Sequence, residues 1–293
     1  MQDLFDELFA EEEAPEPRPP RPRRRARRRG GETAKRILVV IPWIVATIAV
    51  TVAGGLVFAL AMIGVGFLCL HEYLALTAEA RPLSRAAYLA VPALILAAYL
   101  GTAFQVLLVI AACFVLFFAF GASPGHREGI LVSIGVTLLG ILWIGLPLVH
   151  AVLLRDLPDH GAALLIDVLV GTFATDTGAY ATGRAFGSHK ITPGLSPNKT
   201  LEGLVGGFLI GTMAFWFAGL YQDWLNGVDA LIIGAAVAAI APIGDLFESM
   251  LKRDIGQKDT GTLFGPHGGI LDRLDAVFFT VVVGYYLAVQ LVY

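Results

Sequence analysis

Between Asp245 and Asp275 the chain reads DLFESMLKRDIGQKDTGTLFGPHGGILDRLD, with five Asp, one Glu, two Lys, two Arg and one His. The runs on either side carry almost no charge. Ionisable groups packed this densely beside apolar spans are costly to place, so they mark a site. Asp245, Glu248, Ser249 and Lys252 recur at three- and four-residue spacings, which puts them on one stripe of a helix. Gly256, Gly261, Gly265, Gly268 and Gly269 then interrupt the helical pattern and let backbone approach a ligand. Asp272 and Asp275 share a face where the next apolar run opens. Carboxylates hold hard divalent cations through oxygen, and basic groups such as Lys252 and Arg253 hold phosphate oxygens. The combination suits a metal–polyphosphate site.

The elements that must carry this stripe are membrane spans. Of 293 residues, 56% are hydrophobic and 15% charged, with mean hydropathy +0.72, which excludes an ordinary soluble domain. The run 37–70 is too long for one span, and Gly54 and Gly55 at its middle divide it into two short helices. Further runs follow at about 86–100, 104–120, 130–150, 161–180, 203–220, 227–245 and 276–292. The expected fold is therefore an all-α polytopic membrane protein of about nine spans, residues 37–293, behind a tail of residues 1–36. That tail is acidic and proline-rich, then polybasic, with eight arginines between Arg18 and Arg29. Such composition reads as a disordered arm resting on anionic headgroups rather than a signal peptide or a specific nucleic-acid binder.

Charge distribution tests the span count. With the N-terminus cytoplasmic, 20 of the 21 basic residues fall on the cytoplasmic side and only Arg155 falls opposite, the bias that membrane insertion imposes. Counting 37–70 as one span would put the tail opposite the other basic loops. The same count places the loop 181–202 and the segment 246–275 on the cytoplasmic face, where nucleotides are. Asp176, amid Thr175, Thr177, Tyr180 and Arg184, reads as functional, whereas structural pairing suits Asp167 at least as well. His71, Glu72, His126, His150 and His160 have no ligand spacing and read as interface residues. Cys69 and Cys113 sit in apolar runs and read as buried thiols. Lys190, Ser196, Asn198, Lys199 and Thr200 could bind phosphate, but no GxxxxGK[ST] loop, GxSxG, HExxH or CxxC pair is present.

The run Ser249-x-Leu251-Lys252-Arg253-x4-Lys258-Asp259-x-Gly261, followed by Phe264-Gly265-x-His267-Gly268-Gly269-Ile270-x-Asp272-Arg273-Leu274-Asp275, resembles the signature of the phosphatidate cytidylyltransferases (CDP-diglyceride synthases). Asp176-Thr177-Gly178-Ala179-Tyr180, Gly183-Arg184-x-Phe186-Gly187 and Ser196-Pro197-x-Lys199-Thr200-x-Glu202-Gly203 are similar to that family's second block. The chain departs from the pattern at Gly265-Pro266, Thr175, Ser188-His189 and Ala276, without losing a carboxylate or the Lys252-Arg253 pair. The resemblance implies a membrane enzyme, of the bacterial inner membrane, converting CTP and phosphatidate to CDP-diacylglycerol and pyrophosphate. It further implies Mg²⁺, more than one ion, held by Asp245, Asp272 and Asp275 with Asp176 and Glu248 beside them. Lys252, Arg253, Lys258, Lys199 and Arg184 would then grip phosphates, His267 would orient one, and Asp259 and Arg273 would complete the catalytic set. Tyr180, Lys190, Ser196, Thr200, Glu202, Ser249, Gly268 and Gly269 would line the substrates, and a homodimer is compatible with such a chain.

Three other functions share part of this pattern. A CTP-dependent polyprenol or dolichol kinase would transfer the γ-phosphate instead. CDP-activation of an ether lipid differs only in the tails. A transporter would use Asp167 and Asp176 as relay groups but has no need of the glycine-rich charged segment. Because the tail lies outside the resemblance, deleting residues 1–30 should leave specific activity in detergent within a few-fold of the full chain. A collapse of activity in folded protein would make the tail part of the enzyme.

Overall fold

The computed structural model describes residues 30–122, 128–257, 260–261 and 269–293, with side chains from Ile41 onward. His126, Lys258, Asp259, His267, Gly268 and the expected tail up to Arg29 lie outside the described residues. The chain divides into two units, Met1–Val45 and Ala46–Tyr293. In the first, the described backbone is helical from Gly30, inside the stretch read as tail. The second holds the site.

The helices are α1 (Gly30–Ala53), α2 (Gly55–Leu76), α3 (Ser84–Leu100), α4 (Ala103–Gly121) and α5 (Ile130–Arg155, with a π-helical turn at Ile141–Gly145). After them come α6 (Gly161–Phe186), α7 (Leu201–Gly219), α8 (Gly227–Asp254) and α9 (Leu271–Leu291). An antiparallel hairpin, β1 (Lys190–Thr192) and β2 (Ser196–Thr200), joins α6 to α7 and was not anticipated from the apolar pattern. Seven of the described helices are long and apolar enough to cross a membrane. The apolar stretch Ile41–Ala53 and helix Ser84–Leu100 are shorter. The protein is thus an all-α polytopic membrane protein, and large side chains such as Leu107, Phe114 and Phe118 face outward, as lipid-facing surface requires.

The division of 37–70 falls where glycine permits it. Gly54 and Gly55 have φ of +61° and +50°, a backbone that L side chains rarely adopt. A Cβ at Gly54 would also collide with the Arg155 guanidinium. Arg155 donates from Nε to the Thr51 carbonyl (3.0 Å) and from Nη2 to the Val52 carbonyl (3.3 Å). The one basic residue assigned to the far side therefore neutralises the unsatisfied carbonyl end of α1.

Close packing of α6 on α7 carries the rest. Gly203, Gly207 and Gly211 recur every fourth residue on α7 and face Thr175, Ala179 and the Gly171 carbonyl on α6. Small residues at this spacing bring membrane helices to near backbone contact. Gly244 on α8 does the same against the Asp275–Ala276 backbone of α9. Around these contacts lies the core, which includes Phe215, Val237, Ile233, Phe278 and Trp143. A methyl group at Gly207 would lie 2.7 Å from the Thr175 carbonyl and 2.8 Å from the Ala179 Cβ, backbone and side chain that cannot yield cheaply. Gly207→Ala is therefore expected to cost about 1–3 kcal/mol, read as a lower melting temperature in detergent. Gly64→Ala, with open space around it, should melt at or above the wild type. Equal melting of the two variants would refute the packing account.

Candidate active site

Three helices bring carboxylates to one place. Gly244 lets α8 lie against α9 at Asp275, so Asp245 and Glu248 stand beside Asp275. Asp176, on the fifth turn of α6, lies within electrostatic reach of both Asp245 and Asp275. Lys199, from β2, pairs with Asp245 (Nζ–Oδ2 2.9 Å) and donates to the Pro242 carbonyl (3.3 Å). Ser249 Oγ donates to Asp245 Oδ1 at 3.3 Å, one turn away on the same stripe.

Lys252 bridges α8 and α9. Its Nζ donates to Glu248 Oε2 and to Asp272 Oδ1, both at 2.8 Å. Glu248 is 1% exposed, and its second oxygen, Oε1, is buried with no hydrogen-bond donor among the described residues. Asp272 is better provided: Gly269 N–H donates to Oδ2 at 2.8 Å and Thr260 N–H at 3.1 Å. The Asp272 carboxylate thus holds the two described ends of the glycine-rich stretch as well as Lys252.

Behind Asp272 lies a carboxylate that the sequence reading set aside as an interface residue. Glu72, at the end of α2 and 5% exposed, accepts from Ile270 N–H (Oε1, 3.0 Å) and Leu271 N–H (Oε2, 2.9 Å), and Thr260 Oγ1 approaches Oε2 at 3.5 Å. The available signal was its position: an acid closing an apolar run must find donors somewhere.

Other residues expected at the site make local contacts within the protein. Glu202 accepts from the Ser188 and His189 N–H groups and pairs with His189 Nδ1 at 2.6 Å, closing the hairpin. His189 is engaged there. Thr200 Oγ1 accepts from Gly203 N–H as the N-cap of α7. Arg184 pairs with the Tyr180 hydroxyl (2.8 Å) on an exposed part of α6. Arg253 Nε donates to the Leu195 carbonyl, tying the end of α8 to the hairpin turn. Lys190 and Arg273 are exposed and Ser196 is half-buried. Asp167 is paired with Gln222 (2.7 Å) and stands apart, as its structural reading expected. Cys69 and Cys113 are buried free thiols.

The donor set is all oxygen, which fits a hard divalent ion, and the buried Glu248 stands against Asp275. As the side chains stand, no group of three or more His, Cys, Asp and Glu among the described residues converges tightly enough to hold an ion. Lysine ammonium groups fill the intervals instead.

Residues 34–291 match the model of the family described as "Cytidylyltransferase family". The chain is 42% identical over 125 residues to the phosphatidate cytidylyltransferase of Haemophilus influenzae, covering 41% of this chain and 43% of that protein. It is 35% identical over 156 residues to that of Bacillus subtilis (53% and 58%) and 41% identical over 136 residues to that of Thermotoga maritima (43% and 49%). The chain thus spans about half the length of the curated relatives it matches.

The Lys252 bridge has a measurable consequence. Lys252→Met keeps much of the bulk but leaves Glu248 and Asp272 facing each other without a cation. Breaking a buried pair from one side costs about 3–5 kcal/mol, so the variant should melt markedly lower in detergent. Adding Glu248→Gln should recover much of that loss without recovering activity. A double variant no more stable than Lys252→Met alone would show that the pair is not what holds α8 to α9.

Proposed function

Because the chain belongs to the cytidylyltransferase family, we propose that it transfers the cytidylyl group of CTP to phosphatidate, giving CDP-diacylglycerol and pyrophosphate. The observation that carries this reading is the meeting of Asp176, Asp245, Glu248 and Asp275 from three helices beside the ammonium groups of Lys199 and Lys252. An oxygen-rich acidic centre ringed by cations suits a reaction between two phosphate anions, which neither a relay transporter nor a binding protein needs.

In the reaction an anionic oxygen of the lipid phosphate attacks the α-phosphorus of CTP. The bond from that phosphorus to the bridging oxygen of the β-phosphate breaks, and pyrophosphate leaves. A phosphate monoester loses its second proton near pH ~6, so at neutral pH no strong base is required. Asp245, Asp275 and Asp176 would hold Mg²⁺, with Glu248 beside them and Asp272 joining by exchange with Lys252. Bound there, the ions would offset the repulsion between the two anions and spread the developing charge. Lys199, Lys252 and Arg253 would bind phosphate oxygens, with Arg184 and Lys190 at the rim. Gly269 gives the backbone room beside them.

We read nine crossings, with the N-terminus and the site cytoplasmic in a bacterial inner membrane. End-to-end contacts support the alternation. Glu72 meets Ile270 and Leu271, and Lys199 meets Asp245, all at ends assigned to the cytoplasmic side. Arg155 meets Thr51, Asp167 meets Gln222 and Tyr293 meets Pro158, all at ends assigned to the other.

The deciding experiment uses purified protein, phosphatidate and CTP labelled at either the α or the γ phosphorus. Label from the α position should enter the lipid, EDTA should abolish the transfer and Mg²⁺ should restore it. Entry of γ label would make the protein a kinase, and entry of neither would remove it from this chemistry. Asp275→Asn, which removes a charge but little volume, should lower the rate by at least ~10²-fold. A folded Asp275→Asn protein turning over at the wild-type rate would sink the mechanism.

A further inference from the structure

Helix α9 opens without a cap of its own. The residue before its first turn is Ile270, which offers no side-chain oxygen, and Asp272 within that turn is turned back to Thr260, Gly269 and Lys252. The first N–H groups of a helix need acceptors, and burying them without any is expensive. Here the acceptors come from another helix, almost 200 residues away in sequence: both oxygens of Glu72 are used, one on Ile270 N–H and one on Leu271 N–H. Burying a carboxylate in an apolar bundle costs several kcal/mol before its partners are counted. A Ser or Asn at position 270 would cap the helix more cheaply. What the local cap cannot do is fix the start of α9 to α2.

Two glycines make the same point. A Cβ at Gly261 would meet Glu72 Oε1 at 2.7 Å, and a Cβ at Gly269 would collide with Glu72 Oε2. The two described ends of the glycine-rich stretch are therefore fitted around this carboxylate, with Thr260 Oγ1 directed at it as well. Asp272 and Asp275 follow Leu271 by one and four residues, so the frame that holds Leu271 N–H also sets where both carboxylates stand. We propose that Glu72 is a positioning residue for the active site: by capping α9 from α2 it fixes the register of Asp272 and Asp275 against Asp245 and Glu248. It touches neither the reacting atoms nor the proposed ion. The inference rests on the cytidylyltransferase reading for what is positioned, and on geometry alone for what does the positioning.

The test uses the full chain with Glu72→Gln, which keeps one acceptor oxygen, and Glu72→Ala, which keeps none. Hydrogen exchange followed by mass spectrometry reads the local frame, and steady-state kinetics read the consequence. In both variants, peptides covering residues 269–275 should exchange at least tenfold faster, while peptides from α3 and α4 stay at the wild-type rate. Turnover should fall by about 10- to 100-fold, the scale of a displacement near 1 Å, with Gln milder than Ala and KM for CTP within about threefold. Turnover in Glu72→Gln within twofold of wild type would overturn the proposal. So would accelerated exchange throughout both variants, which would make Glu72 a general packing residue. A rise in KM with unchanged turnover would overturn it too, by making Glu72 a substrate contact. Wild-type protein inactive towards CTP and phosphatidate would sink the functional reading instead, leaving the exchange result to decide the position of Glu72 by itself.

Discussion

A carboxylate inside an apolar bundle must be given donors or a cation, and the site follows from how this chain meets that demand. Glu248, 1% exposed, cannot be solvated, so Lys252 is held over it, and the same ammonium reaches across to Asp272. Asp272 in turn takes N–H groups from Thr260 and Gly269, and Glu72 takes those of Ile270 and Leu271. Glu248 takes its donor from one turn along α8, whereas Asp272 and Glu72 draw theirs from other parts of the chain. The ends of α2, α8 and α9 are thereby tied together by electrostatics where the apolar packing of lipid-facing helices supplies little preference for one register.

How near the helices come is decided separately, by missing side chains. Asp176 would stand too far from Asp245 and Asp275 if α6 were kept from α7 by Cβ atoms at Gly203, Gly207 and Gly211, or α8 from α9 by one at Gly244. The packing does not itself select the chemistry. It sets the distance over which like charges repel, and that repulsion makes a cation welcome between them. A well-packed pair of helices thus stores an electrostatic cost that a bound ion or an ammonium group can relieve.

Much of this was visible in the order of residues, for reasons that differ from element to element. The break at Gly54–Gly55 was legible because glycine adopts positive-φ backbone far more readily than other residues. The clustering of Asp245, Glu248, Ser249 and Lys252 was legible because helical periodicity alone puts them on one stripe. Their junction with Asp275 needed the Gly244 contact, a tertiary fact. Glu202 and Thr200, expected to line substrate, close the hairpin and cap α7 in this structure. A local hydrogen bond and a ligand contact call for the same residue types, so spacing could not separate them. The hairpin itself has strands of three and five residues, too short for alternation to announce. Glu72 escaped because its partners are backbone N–H groups almost 200 positions away, and backbone donors leave no mark in a sequence.

The lysines carry the last consequence. Lys199 and Lys252 are suited to phosphate, yet in this structure each holds a carboxylate: Asp245 for the first, Glu248 and Asp272 for the second. An ammonium group turning to a phosphate would leave those acids unpaired, at a cost that grows with their burial and is greatest for Glu248. A phosphate entering alone would therefore gain a cation only by stripping it from a buried anion, a poor exchange. The exchange becomes favourable when positive charge enters together with the phosphate, because the incoming cation takes the acids as the lysines leave them. Charge balance among Glu248, Asp272, Asp245 and the two lysines would thus couple the entry of any phosphate ligand to the entry of a counter-ion. Neither partner need touch the other for that coupling to hold.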